Sequence, residues 1–199
     1  MASVAQGLWD KASGTYDLFS RGAERRWEAP KRESLSRVRG RVLFLAVGTG
    51  LEVPFFPPGL DVTGVDISWG MLSRAKSRAA GYQGEFRLAQ ADVEHLAFRD
   101  DSFDTIVTSC TFCSVPDPVA GLRELRRVLK PGGELRMFEH TGSRWFPFSL
   151  MLHAMTPITR RFGPDMNRDT VSNVVKAGFQ LRGVCNVYLD VVKIIVAGK

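Results

Sequence analysis

The chain has 199 residues, of which 44% are hydrophobic and 24% are charged, close to the averages for globular proteins. This composition excludes a disordered tail, a collagen-like fibre and a low-complexity segment. The formal net charge of +6 at pH 7 favours an anionic partner and does not distinguish nucleic acid, a membrane face or an acidic ligand. The three cysteines are too few for a disulfide framework and lack the further ligands of a zinc site, so we expect reduced thiols and no metal.

Short apolar runs alternate with amphipathic helical patterns along the chain. The predicted strands cover residues 41–47, 61–67, 85–90, 103–109, 134–139, 181–187 and 191–197. The predicted helices cover residues 68–80, 117–129 and 169–177. This order is typical of an α/β fold with helices on both faces of a seven-stranded, mostly parallel sheet. The short link between the last two strands predicts a C-terminal antiparallel hairpin.

Two segments interrupt this alternation. Residues 1–40 and residues 141–168 are both rich in aromatic and apolar side chains and are edged with arginines. We expect both to lie beside the sheet edge that binds ligands. The predicted organisation is therefore a single domain of residues 1–199, with an N-terminal helical lid (1–40), a ligand-binding core (41–140), a helical insertion (141–168) and a final helix and hairpin (169–199).

A glycine-rich turn, Gly48-Thr49-Gly50, follows the first predicted strand, and the second strand ends in Asp66. Such a turn lets a ligand approach the backbone closely, and an acid at the end of the second strand can accept hydrogen bonds from ribose hydroxyls. The third glycine of a dinucleotide fingerprint is absent, and prolines 54, 57 and 58 interrupt the helix that would hold a pyrophosphate. The pattern indicates an adenosine-bearing ligand without phosphate. The alternative for Asp66 is an acid that caps the turn at the end of its strand.

Asp92 follows the third strand, where its carboxylate could accept the amino group of an adenine. The alternative is that Asp92 caps the turn at residues 93–96.

Five motifs in order carry a family resemblance: VLFLAVGTG (42–50), VTGVDISWGML (62–72), AQADVEHLAF (89–98), DDSFDTIVTS (100–109) and LRELRRVLKPGGEL (122–135). With them the chain resembles the class I S-adenosylmethionine-dependent methyltransferases, which implies a Rossmann-like fold. The pattern is most similar to small methyltransferases of lipids and lipophiles, namely phosphatidylethanolamine N-methyltransferases, alkyl-thiol methyltransferases and quinone C-methyltransferases. The segment WDKASGTYD (9–17) is similar to the entry segment of the quinone enzymes.

The resemblance implies S-adenosylmethionine as cofactor and S-adenosylhomocysteine as product. It implies that the glycine turn passes beneath the methionine part, that Asp66 holds the ribose and that Tyr16 folds over the cofactor. The cofactor-binding residues implied are Gly48, Thr49, Gly50, Asp66, Ile67, Met71, Asp92, Val93, Ser109 and Cys110.

The first motif departs from the family at two positions. Phe44 stands where the family usually has an acid, and Ala46 stands where it usually has glycine. We take Glu52, a few residues further on, as a compensating acid. The departures also leave open a non-catalytic protein that binds an adenosine ligand.

Methyl transfer from a sulfonium needs alignment of three atoms and a free lone pair on the acceptor. Glu139 and His140 end the fifth strand, at the edge where open α/β sheets bind ligands. We predict His140 as the base, with Glu139 and Tyr16 as further catalytic residues. The alternative is an imidazole that only bonds the adjoining loop.

The predicted acceptor pocket combines apolar and basic side chains: Trp145, Phe148, Met151, Arg144 and Arg160. This set favours a lipophilic acceptor with an anionic group, first of all the amine of a phospholipid such as phosphatidylethanolamine. A thiol and a quinone ring carbon are the alternative acceptors. The alternative to a pocket is an ordinary helix packed on the sheet, with its arginines in solvent. Residues 109–112 (SCTF) do not form the motif of nucleic-acid amino methyltransferases, which disfavours a nucleic-acid acceptor.

Neither a signal-peptide core nor an apolar run of about 18 residues is present, the length that a membrane span needs. We therefore predict a cytoplasmic protein with peripheral contact to the anionic inner face of a membrane.

Overall fold

The computed structural model describes residues 2–159 and 164–199. Its helices are α1 (Ala2–Ala12), α2 (Tyr16–Leu35), α3 (Trp69–Ala80), α4 (Pro118–Val128), α5 (Phe148–Thr159) and α6 (Thr170–Lys176), with a 3₁₀ turn at Val53–Phe55. Its strands are β1 (Arg41–Leu45), β2 (Asp61–Asp66), β3 (Glu85–Gln90), β4 (Phe103–Ser109), β5 (Leu129–His140), β6 (Gln180–Tyr188) and β7 (Val192–Gly198).

The seven strands form a single sheet in the order β3-β2-β1-β4-β5-β7-β6. The first five strands in this order are mutually parallel, and β7 runs antiparallel to both β5 and β6. The predicted mostly parallel sheet with a C-terminal antiparallel hairpin is confirmed. Strand order reverses between β1 and β4, and such a switch point opens a crevice at the carboxyl ends of the strands.

The three predicted helices are confirmed. A short polar side chain caps the first turn of each one. Ser68 accepts a hydrogen bond from the Met71 amide at 3.1 Å and begins α3. Asp117 begins α4 and Asp169 begins α6 in the same way. Each cap satisfies a backbone donor that has no partner inside its helix.

The fifth strand is longer than predicted. We expected residues 134–139, whereas β5 runs from Leu129 to His140 and already pairs with β4 at Phe103. The register then shifts, because Pro131 has no N–H for the ladder and Gly132 has a φ of +77°. Pro131, Gly132 and Gly133, whose composition predicts a turn before the strand, therefore form an irregularity inside it.

Apolar side chains pack on both faces of the sheet. Leu43 and Ile106 belong to a cluster with α4 and α6, while Val42 and Phe44 belong to another with α2 and α3. This alternation follows the two-residue period of a strand and confirms helices on both faces. Phe44 is fully buried, and its ring packs 5.2 Å from that of Phe56.

The two segments outside the strand–helix alternation are largely helical. Residues 2–35 form α1 and α2, which pack on α3 and on β5, and α5 follows β5 after a short loop. No helix in the described part of the chain is long and apolar enough to cross a membrane.

Candidate active site

A cavity of about 760 Å³, open to solvent, lies at the carboxyl edge of β1, β2 and β4. This volume includes the part of the cavity that is open to solvent. The strand ends supply its floor, and α1 and the start of α2 supply its cover. The lining residues are Ala5, Trp9, Tyr16, Leu45, Ala46, Gly48, Asp66, Ile67, Met71, Ala91, Asp92, Val93, Ser109, Cys110, Thr111, Ser114, Val115 and Pro116.

The glycine turn after β1 uses its two glycines differently. Gly48 has a φ of +57°, lines the cavity, and a Cβ there would meet only a carbonyl oxygen at 4.0 Å. Gly50 has a φ of +84°, and a Cβ there would lie 3.3 Å from the α-carbon of Ala75 in α3. Gly48 therefore exposes backbone to a ligand, while Gly50 allows the turn to pack on the helix.

Ala46 also lines the cavity and has a φ of +52°, a left-handed conformation that strains an alanine. We expect Ala46→Gly to raise the free energy of unfolding by about 0.5 kcal/mol, because relief of strain exceeds the entropy that glycine adds to the unfolded chain. Urea denaturation would measure the change. Ala97→Gly, in an exposed loop outside the left-handed region, is the control and should destabilise. Equal destabilisation by both variants would contradict the strain at Ala46.

Asp66 closes the floor of the cavity at the end of β2. One carboxylate oxygen accepts the Gly48 amide at 2.9 Å, and the other accepts the Ser68 amide at 2.8 Å. The side chain is buried, and burial raises the pKa of Asp66 against the effect of these two N–H donors. Each carboxylate oxygen keeps a lone pair for a ligand hydroxyl. Asp66 therefore caps the turn at the end of its strand, and its predicted contact with a ribose stays a prediction.

Asp92 and Val93 line the neighbouring wall. One oxygen of Asp92 accepts the Glu94 amide at 3.0 Å, which is the capping role considered from the sequence. The other lies 3.8 Å from the exposed His95 imidazole. Asp92 thus caps its turn and still presents acceptor capacity to the cavity.

Two aromatic side chains from the N-terminal helices cover the cavity. The rings of Trp9 and Tyr16 meet edge to face, with their centroids 6.4 Å apart, and both line the cavity. Trp9 was not predicted as a site residue, because the sequence predicts a lid in residues 1–40 but not which of its side chains face the strand ends.

Two aspartates connect these helices to the floor. Asp10 accepts hydrogen bonds from the Ser68 hydroxyl at 2.6 Å and the Gly70 amide at 2.9 Å, and these donors lower the pKa of Asp10. Asp17 accepts from the Thr49 hydroxyl at 2.6 Å and pairs with Arg78 at 2.7 Å. The Thr49 hydroxyl thus forms a hydrogen bond to α2. Neither Thr49 nor Gly50 is among the residues that line the cavity. The predicted ligand roles of Thr49 and Gly50 stay predictions.

Glu139 lies behind the wall that follows β4. The carboxylate is fully buried and accepts the Thr108 hydroxyl at 2.7 Å and the amides of Thr111 and Phe112 at 3.2 and 3.1 Å. Burial raises the pKa of Glu139 to about 7. The side chain thus holds the loop that carries Cys110 and Thr111 and does not face the cavity, so its predicted catalytic role stays a prediction.

His140 also lies outside the cavity lining. Its side chain is half-buried, and burial lowers the pKa of the imidazole. Within the described residues its Nδ1 has no hydrogen-bond partner. The base function of His140 stays a prediction, since the residue is not among those that line the cavity.

The predicted acceptor residues lie on the surface beyond the cavity. Trp145 is 60% exposed, Met151 is 48% exposed and Phe148 is 38% exposed, and none of them lines the cavity. Arg144 is exposed beside them, and Arg160 lies outside the described residues. The predicted role of these residues as an acceptor pocket stays a prediction.

A buried ion pair lies next to the wall and was not predicted. Lys31 of α2 contacts the Glu52 carboxylate at 2.7 Å, and the Ser109 hydroxyl donates to the same oxygen at 2.9 Å. Glu52 is therefore paired with Lys31 and lies outside the cavity lining. Its proposed compensation for the acid missing at Phe44 stays a prediction.

Comparison with known proteins decides the family. A family model described as a methyltransferase domain matches residues 43–137. The ubiquinone/menaquinone biosynthesis C-methyltransferase UbiE of Geotalea daltonii is 33% identical over 162 residues, 74% of this chain and 68% of that protein. The phosphatidylethanolamine N-methyltransferase of Cereibacter sphaeroides is 33% identical over 141 residues, 68% of this chain and 70% of that protein. The chain belongs to the S-adenosylmethionine-dependent methyltransferases.

The fold agrees with this assignment. A SAM-dependent methyltransferase from Thermotoga maritima superposes with a TM-score of 0.72 at 20% identity, over 98% of this chain and 99% of that one. The cofactor is S-adenosylmethionine and the product is S-adenosylhomocysteine.

The residues of the cavity suit this cofactor. Asp66 and Asp92 provide acceptors for hydroxyl and amino groups, and Ile67 and Met71 provide apolar contact for a ring. The faces of Trp9 and Tyr16 attract a cation such as a sulfonium. When bound, the cofactor supplies an electrophilic methyl group.

Proposed function

We propose that this methyltransferase acts on a lipophilic acceptor, first of all the amine of a phospholipid such as phosphatidylethanolamine. The observation that carries the proposal is the apolar segment after β5, residues 141–164, which contains neither Asp nor Glu. The stretch that follows it is bonded to the cavity wall, because the Asp165 amide donates to the Cys113 carbonyl at 2.8 Å and Arg168 donates to the Val115 carbonyl at 3.1 Å.

The chemistry of the wall supports an acceptor that carries its own lone pair. Among the described lining residues the titratable groups are Tyr16, Asp66, Asp92 and Cys110, and neither histidine nor lysine is present. Rate enhancement would then come mainly from holding acceptor, methyl and sulfur in line. A neutral amine meets this requirement.

The phosphate of a phospholipid has a matching cation. Arg144 follows β5 at the edge that holds the cavity, and 89% of its side chain is exposed. An arginine fork suits a phosphate group. The 33% identity with a phosphatidylethanolamine N-methyltransferase is the second support for this acceptor.

The ring carbon of a quinol is the second candidate. It is favoured by relatives named for this chemistry, among them the demethylmenaquinone methyltransferase of Beutenbergia cavernae, 34% identical over 151 residues, 73% of this chain and 61% of that protein. Both candidates are lipophilic.

A transfer assay with methyl-labelled S-adenosylmethionine separates the candidates. Phosphatidylethanolamine vesicles, a demethylmenaquinol in detergent and a water-soluble alkyl thiol are offered in parallel, with Asp66→Ala as the control deficient in cofactor binding. We expect label in the phospholipid fraction. Label only in the quinol would move the proposal to the second candidate, and label only in the soluble thiol would contradict a lipophilic acceptor.

A further inference from the structure

Most of the exposed residues of α5 are apolar, and His153 is the exposed polar one among the described residues of the helix. Its exposed residues include Leu150, Met151, Ala154, Met155, Pro157 and Ile158. Leu152 and Thr156, on the opposite face, are 5% and 7% exposed and hold the helix on the protein. An ordinary surface helix has polar residues on its solvent side, so this helix has the opposite arrangement. Large contiguous apolar patches on a protein surface mark contact sites.

The turn before the helix extends the same surface. Phe146 is 82% exposed and Trp145 is 60% exposed. Arg144 precedes them, and its guanidinium lies 3.9 Å from a carboxylate oxygen of Asp169. In the sequence, Arg160 and Arg161 follow the helix, and residues 141–164 contain no acid. The segment thus combines an apolar face with positive charge at both ends.

We propose that α5 and the turn at residues 144–147 form a docking surface for an anionic lipid bilayer. A twelve-residue helix is too short to span a membrane, but it can lie in the interface with its apolar face among the acyl chains. Arginines on either side are attracted by anionic headgroups, and tryptophan is favoured at this depth. The inference rests on the proposed function insofar as a lipophilic acceptor is found in the bilayer.

The docking surface is connected to the active site. His153 of α5 contacts the Asn167 side chain at 2.7 Å, and the Gly142 amide donates to the Arg168 carbonyl at 2.9 Å. Arg168 in turn bonds Val115 in the cavity wall. Docking through α5 would therefore bring the membrane next to the wall of the cavity.

Co-sedimentation with vesicles tests the apolar part of the surface. The full chain is mixed with vesicles of phosphatidylcholine alone and of phosphatidylcholine with phosphatidylglycerol. We expect binding to the anionic vesicles, reduced by added salt and about tenfold weaker in Phe146→Ser/Leu150→Ser. Val175→Ser, which alters an exposed apolar residue of α6, is the matched control and should bind like the parent. Equal binding by the double variant would overturn the proposal.

Charge reversal at Arg144 tests the electrostatic contribution to docking. Arg144→Glu should weaken binding to anionic vesicles about tenfold and leave weak binding to phosphatidylcholine unchanged. Arg99→Glu makes the same change at an exposed residue before β4, at the opposite edge of the sheet, and should have a much smaller effect. Equal losses in the two variants would indicate attraction by net charge alone and would overturn docking through α5.

Two further readouts separate this proposal from its alternatives. A vesicle-free sample with a concentration-dependent molar mass, abolished by Phe146→Ser/Leu150→Ser, would assign the face to a second copy of the chain and overturn the membrane proposal. Methylation of a dispersed short-chain phosphatidylethanolamine by a chain that does not bind vesicles would leave the proposed function intact and remove the docking surface. Vesicle binding without any lipid methylation would support the docking surface and contradict the proposed function.

Discussion

Asp66→Ala will raise the dissociation constant of S-adenosylhomocysteine about thirtyfold, a loss of about 2 kcal/mol. The cause is twofold. The variant removes a charged acceptor from the cavity floor, and it releases the amides of Gly48 and Ser68, which the carboxylate now holds at 2.9 and 2.8 Å. Isothermal titration calorimetry with the purified chain measures the change directly.

The control for this experiment is Asp61→Ala. Asp61 begins the same strand, at the edge away from the cavity, and pairs with Arg41 and Arg87. Affinity should remain at the parent value in this variant. Unchanged affinity in Asp66→Ala, with a folded protein, would show that the end of β2 does not hold the ligand.

Glu139→Gln will flatten the pH dependence of stability above pH 5. The pKa of Glu139 is raised by burial to about 7, so the folded state favours the neutral acid. Its contribution to stability is fully present below the pKa of the unfolded chain and is lost as pH rises through the folded value. Between pH 5 and pH 8 the parent should lose about 2.5 kcal/mol of unfolding free energy through this group, which glutamine, always neutral, should not.

Urea denaturation of both proteins at the two pH values measures this difference. Glu85→Gln, an exposed carboxyl on β3, should keep the slope of the parent. His140, next in the chain, has a pKa lowered by burial, so its contribution is lost as pH falls and is common to both proteins. Parallel pH profiles for the parent and Glu139→Gln would contradict the raised pKa.

Local signals in the sequence predict most of the fold. Ser68, Asp117 and Asp169 begin their helices where short polar side chains precede amphipathic runs. The strand boundaries are close except at β5, where a proline and two glycines are more typical of a turn than of a strand irregularity. Strand order depends on packing between distant segments and was not predicted.

The site was predicted where a strand end fixes the position of a residue. Asp66 and Ser109 end their strands, Gly48 and Asp92 come just after theirs, and the parallel sheet brings all four to one cavity. The cover formed by Trp9 and the ion pair of Lys31 with Glu52 could not be predicted, since both depend on how α1 and α2 fold back.

The sequence contains a signal that the Glu139 side chain is buried. It shares strand parity with Leu135 and Met137, which are fully buried in the cluster under α4 and α6. This period of two indicates a side chain directed into the protein and not toward the ligand edge. A buried acid in such a position needs backbone or hydroxyl donors, and Thr108, Thr111 and Phe112 supply them.

The hydrogen bonds of the N-terminal helices differ in how readily water can replace them, which indicates the part of this segment that moves when the cover over the cavity lifts. Asp10 and Asp17 are held at sites that water can reach, so release of the Trp9 and Tyr16 cover exchanges their hydrogen bonds for bonds to solvent. Lys31 is 4% exposed and pairs with Glu52, and separating them would leave a buried charge without its partner. We therefore expect the hinge to lie within α2, between Asp17 and Lys31, so that only the first part of the segment moves in each catalytic cycle.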